Sequence, residues 1–139
     1  MALDTTVETV EGDPPVTVVA LAGELDASNY RDLIDQVQAL YTSGTRRLLL
    51  DLTDLRFMAS SGLVALHSIV RILHGEQPDD TEAGWGSFHT VSHDVSGGGT
   101  QTEVQLCGAQ PAIERVLDRT GLTRLFIVHP DRATALAAS

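Results

Sequence analysis

Arg46 to Leu63 reads RRLLLDLTDLRFMASSGL. Its first part, Arg46 to Leu52, is a short, continuous apolar run, the pattern of a strand covered on both faces. Thr53-Asp54 reads as a turn, and Leu55-Arg56-Phe57-Met58 carries the chain on to two serines. After Gly62 the spacing changes, with Leu63, Leu66, Ile69, Val70 and Leu73 recurring at helical intervals. A strand therefore feeds a helix through a short join centred on Ser60 and Ser61.

The pattern extends in both directions. Upstream, TVETV (Thr5–Thr9) and VTVVAL (Val16–Leu21) read as strands separated by the turn chemistry of EGDPP. Ser28 or Asn29 then supplies a helix cap ahead of the stripe Tyr30, Leu33, Ile34, Val37, Leu40 and Tyr41, which Gly44 ends. Downstream, residues 74–101 lose all periodicity and form a long insert. Its middle, Ser87–Val95, reads as a strand pairing across SGGG with Glu103–Cys107. Val104–Cys107 is a strand, Pro111 opens a short helix that stops at Gly121, Leu125–Val128 is a last strand, and Asp131–Ala138 is a small terminal helix. The order β-β-α-β-α-(insert)-β-α-β-α predicts a single α/β domain over 1–139. Its sheet is expected to be mixed, mostly parallel, with four to five strands and helices packed on it.

Composition narrows the function. Apolar residues make up 42% of the 139 residues and aromatics only 4%, so the core is aliphatic. The formal charge is −10, and all nine basic residues are scattered arginines. That balance argues against direct binding to nucleic acid or to anionic lipid. Cys107 is the one cysteine, which excludes an internal disulfide and favours a reducing compartment. The N-terminus lacks the basic and apolar regions of a signal peptide, and no stretch reaches membrane-span length. The expectation is a cytoplasmic protein without a membrane span.

Two readings of the serines stand side by side. In the first, Ser60 or Ser61 caps the helix, its oxygen accepting a backbone N–H left unpaired at the helix start, and Gly62 eases packing of helix on strand. In the second, the same turn is where an added phosphate is tolerated. Free N–H groups and the positive end of the helix dipole stabilise an anion there, and a phosphate brings about −1.5 to −2 charges. A loop after a sheet strand lies at the surface, so a partner would meet the new charge directly.

Four segments in register, GELD at 23–26, the Tyr30–Tyr41 helix, RRLLLDLTDLRFMASSGL at 46–63 and RTGLTRLFIVHPDRATALAA at 119–138, resemble the STAS domain family. Within it the chain is similar to bacterial anti-sigma-factor antagonists. That resemblance implies partner switching: the antagonist binds an anti-sigma factor that is also a serine kinase, and so frees the sigma factor. Phosphorylation by the kinase ends the interaction, and a phosphatase restores it. The phosphoacceptor implied is Ser60, with Ser61 as the cap and Asp26 as the acidic residue brought near it. The partner-binding surface implied comprises Asp26, Ser60, Ser61, Gly62 and the following helix. One departure stands out, because the family's Asp before the acceptor is Ala59 here. That departure favours an alternative, a non-switching STAS subunit of a larger assembly such as a stressosome or a lipid-transport ATPase. A third reading is a nucleotide- or small-ligand-sensing domain with the insert as its lid.

Other constellations are weaker. His89 and His93 lie four apart, but the surrounding sequence is not helical and no third ligand is fixed, so no metal is expected. Gly97-Gly98-Gly99 lacks the Lys and Ser/Thr of a phosphate loop. Ser60 follows no G-x-S-x-G, and His67 and His74 sit on or just after its own helix, so no hydrolase is expected. Trp85 and Phe88 read as anchors for the insert, and Cys107 as a small core residue. The expectation is a protein that is not an enzyme and uses no cofactor.

Overall fold

A computed structural model describes residues 3–12, 15–75 and 103–137. Five strands form one sheet: β1 (Leu3–Val10), β2 (Val16–Leu25), β3 (Leu48–Met58), β4 (Val104–Cys107) and β5 (Ile127–His129). They lie side by side in chain order, β1 antiparallel to β2 and every later pair parallel. The helices are α1 (Tyr30–Thr42), α2 (Ser60–Leu73), α3 (Pro111–Thr120) and α4 (Arg132–Ala137), with a 3-10 turn at Leu122–Arg124. The mixed, mostly parallel α/β sheet expected from the alternation is therefore the observed one.

Alternate residues of each strand point to opposite faces. On one face Val19, Leu21, Leu25, Leu50, Leu52, Met58 and Leu106 meet the apolar sides of α1, α2 and α3 in the main core. On the other, Val16, Val18, Leu49 and Cys107 are covered by Ala135 and Leu136 of α4. Helix α2 is buried without interruption from Gly62 to Val70, as expected of a helix apolar on most of its sides.

Three local expectations need correction. Thr53-Asp54 does not turn the chain, since β3 runs unbroken through it. Asp51 Oδ1 accepts hydrogen bonds from the Thr53 amide at 3.0 Å and the Thr53 hydroxyl at 2.6 Å. This local turn chemistry is absorbed as one of two register shifts in the pairing of β3 with β2. The last strand starts two residues later than its apolar run. Gly121 ends α3 in the left-handed region at φ 77°, and the following 3-10 turn takes Leu125 and Phe126 back onto the Leu122 carbonyl. Finally, β4 pairs with β3 on one edge and β5 on the other. It has no free edge for the expected pairing with Ser87–Val95, a segment outside the described residues.

Candidate functional site

The site grows from the ends of β2 and β3. Leu25 pairs with Met58, and the Ala59 amide donates to the Leu25 carbonyl at 2.9 Å. Asp26 follows one strand and Ala59-Ser60 the other, so the two segments that sequence reasoning joined do leave the sheet side by side. Ser60 is the first residue of α2 and is exposed.

Neither serine caps the helix. The capping position is Ala59, at φ −79° and ψ 172°, with no side-chain hydrogen bond. Gly62 instead donates its amide to the Ala59 carbonyl at 2.9 Å. The Ser61 expectation fails because the bond from Ala59 to Leu25 sets where the helix begins, one residue ahead of Ser60 and two ahead of Ser61. Ser61 Oγ is buried and has no hydrogen-bond partner among the described residues. Gly62 is buried as well. A Cβ there would lie 2.5 Å from Met58 Cγ and 3.1 Å from Leu25 Cδ2, so the glycine lets α2 seat closely on the strand ends. The helix beyond it is buried through Val70 and presents no contact surface there. The exposed part of the expected surface thus contracts to Ser60 and the Asp26 loop.

That loop is held rigidly. Asn29 Oδ1 accepts from the Asp26 amide at 3.0 Å, and Asn29 Nδ2 donates to the Glu24 carbonyl at 2.9 Å. The amides of Asn29 and Tyr30 both return to the Asp26 carbonyl. Asp26 Oδ1 accepts from the Ser28 hydroxyl and from the Ser28 amide, the latter at 2.9 Å. The hydroxyl first, and then the amide, holds the Asp26 carboxyl below the ordinary carboxylate range. Asn29 was expected only as a possible cap, and its role in clamping two backbones is visible only in three dimensions. No acidic residue lies in the first turn of α2, so the partial positive charge of its amides is not neutralised locally.

A second polar cluster went unnoticed in the sequence. Arg132 at the start of α4 reaches Asp51 Oδ2 through Nε at 3.0 Å, and Glu8 Oε2 through Nη1 at 3.0 Å. Burial raises the Asp51 pKa, but the Thr53 hydroxyl and amide and the Arg132 guanidinium outweigh it and bring it below the ordinary value. Cys107 lies next to this cluster, its thiol pushed up to about 12 by burial and by the Asp51 charge. An aspartate inside an apolar strand was the available signal. Its arginine stands 81 residues away.

Among the described residues no group of three or more His, Cys, Asp or Glu side chains is placed to hold a metal. His89 and His93 lie outside them, as do Trp85 and Phe88. No described helix is long and apolar enough to cross a membrane.

Comparison with known proteins places this geometry. Among solved structures the chain is similar to an anti-sigma factor antagonist from Mycobacterium paratuberculosis. That match has 24% identity and a TM-score of 0.69, and covers 99% of this chain and 93% of that one. It is also similar to the Bacillus cell fate determinant SpoIIAA in its phosphorylated form, at 18% identity and a TM-score of 0.62. The coverage there is 97% and 98% of the two chains. The unphosphorylated form of the anti-sigma factor antagonist SpoIIAA matches at 17% identity and a TM-score of 0.58, covering 97% and 94%. These identities establish the shared fold. The sequence profile of the family described as "Mlab, STAS domain" matches residues 8–79, more than half of the chain. The chain belongs to the STAS domain family.

Proposed function

We propose that this protein is an anti-sigma-factor antagonist that binds an anti-sigma-factor serine kinase and is released from it when Ser60 is phosphorylated. The observation that carries this reading is the exposed Ser60 hydroxyl on the first turn of α2, beside the preformed Asp26 loop. A phosphoryl group there meets helix amides with no first-turn carboxylate competing for them. In the transfer, Ser60 Oγ attacks the γ-phosphorus of ATP held by the kinase. The O–P bond forms as the bond to the leaving ADP breaks, and the hydroxyl proton passes to a base on the kinase. This chain supplies the acceptor and no catalytic group. Neighbours on the same fold carry the antagonist description, and one of these, SpoIIAA, also has a structure in a phosphorylated form.

The contact surface in this reading is Ser60 with Asp26, while Ser61 and Gly62 support it from beneath. A phosphatase returns the protein to its binding state, and the exchange takes place in the cytoplasm. The test is incubation with the cognate kinase and ATP. One phosphate is expected on the wild-type chain and none on Ser60→Ala. Full labelling of that variant places the acceptor elsewhere.

A second reading is favoured by Ala59, which stands where the family's motif has an acidic residue. Here the chain is a constitutive subunit of a larger assembly, such as a stressosome or a lipid-transport ATPase. Affinity capture from host lysate separates the two: a kinase with its sigma factor supports the switch, and a transporter or stressosome supports the subunit.

A further inference from the structure

Among the described residues, the sheet face opposite α1, α2 and α3 is only partly covered. Helix α4 shields Val16, Val18, Leu49 and Cys107, but six residues of helix reach no further along the strands. Leu25 and Met58 enter the main core, so their neighbours Glu24 and Phe57, paired in register, turn to the open face. Ala22 lies on that face too, between Asp4 of β1 and Asp54 of β3, its partners on either side. Phe57 is 48% exposed, the largest such exposure of a bulky apolar side chain among the described residues. In a chain with only 4% aromatics, a solvent-facing Phe on a sheet is an anchor without a socket.

Charge says what kind of socket. Asp4 and Asp54 are exposed, Glu24 is half-buried, and no ion pair among the described residues reaches any of the three. Glu24 Oε2 is buried with no hydrogen-bond partner among the described residues, which leaves a desolvated carboxylate oxygen at the inner border of the patch. Arg56, exposed in the register shift, stands beside Phe57, and the other described cation on this sheet face, Arg132, is engaged by Asp51 and Glu8. Asp4, Glu24 and Asp54 outnumber Arg56, and Arg132 is matched by Asp51 and Glu8, so the described surface is anionic. A second copy of a chain with charge −10 would set acid against acid, and nucleic acid or anionic lipid would be repelled.

We propose that this face is a docking surface for a cationic, apolar-tipped polypeptide segment of a partner protein. Phe57 is its anchor, and Glu24, Asp54 and Asp4 receive the partner's Arg or Lys side chains. The site does not rest on the Ser60 reading, since it lies on the open sheet face and needs no phosphorylation. The test uses the full chain and two synthetic amphipathic peptides. One carries Leu and Arg, and the other has Ser at every Leu position with the same charge.

At physiological salt the Leu/Arg peptide is expected to bind at least about tenfold tighter than its Ser counterpart. It should shift the backbone amide resonances of Ala22, Glu24, Asp54 and Phe57. Phe57→Ser should remove the preference, and Glu24→Gln with Asp54→Asn should weaken binding of both peptides. Phe57 and Asp54 are exposed and Glu24 is half-buried, and a cooperative thermal transition confirms that each variant is folded. Equal affinity of the two peptides overturns the proposal, as do shifts confined to α1 and α3. Self-association of the wild type that Phe57→Ser abolishes would assign the face to a second copy instead, and would also overturn it.

Discussion

Ser61 and Ser60 are adjacent in sequence and opposite in circumstance. Ser60 stands in solvent, while the Ser61 hydroxyl is buried and has no partner among the described residues. A buried hydroxyl left unpaired costs about 1–3 kcal/mol, and alanine is the better helix former at a first-turn position that provides no cap. Ser61→Ala is therefore expected to leave the fold unchanged or stabilise it by up to about 1 kcal/mol, read from the urea midpoint. Had Ser61 been the cap, the same change would cost about 1 kcal/mol. A loss of that size contradicts the placement of the helix start at Ala59. The sequence makes the helix start legible to within a residue. It cannot assign the cap, because the capping position is fixed by a hydrogen bond from Ala59 to Leu25 on a different strand.

Strand β3 and helix α4 show where elements escape a one-dimensional reading. The Thr53-Asp54 pair carries turn chemistry, yet pairing with β2 resumes at Asp54 and converts the turn into a register shift within one strand. Helices α1 and α2 were legible because their apolar stripes are long and regular. The fastening of α4 was not, since a six-residue helix has little stripe and its key contact spans the chain. Arg132 pins α4 to Asp51 and Glu8, and Cys107 lies fully buried on the face that α4 covers. As the one thiol in the chain, Cys107 reports the opening of this helix without engineering. In the wild type its labelling by a thiol reagent should be slow, because the group is buried and its pKa is about 12. Arg132→Ala should speed that labelling by about tenfold or more under native conditions, by making local opening easier. An unchanged rate would show that α4 is held by its apolar contacts alone.

For the molecule as a whole, the α/β class and the mixed, mostly parallel sheet follow from the alternation of apolar runs and stripes and were readable in the sequence. The side-by-side order of the strands, and the placing of α4 alone of the described helices on the second face, were not. The electrostatic balance was readable only as a total, not as a set of partners. Asp51, the one buried acidic residue among those described, has a folded-state pKa below its ordinary value. The unfolded chain thus binds the proton more tightly. Stability from this group is complete above the ordinary aspartate pKa and is lost as the pH falls through that value and below it. Urea midpoints measured from about pH 6 down to about pH 3 should fall for the wild type, and fall less steeply for Asp51→Asn. Parallel curves for the two proteins would mean that other carboxylates set the acid limit.

The central claim concerns what a phosphate on Ser60 does to an assembly. Ser60 lies at the surface beside the Asp26 loop, so added bulk and charge fall on the partner and not on the core. The most direct measurement is calorimetric titration of the cognate anti-sigma-factor kinase with this protein, before and after stoichiometric phosphorylation. The account predicts a measurable complex with the unmodified chain and a loss of affinity of at least about tenfold once Ser60 carries the phosphate. Equal affinity of the two forms would contradict it.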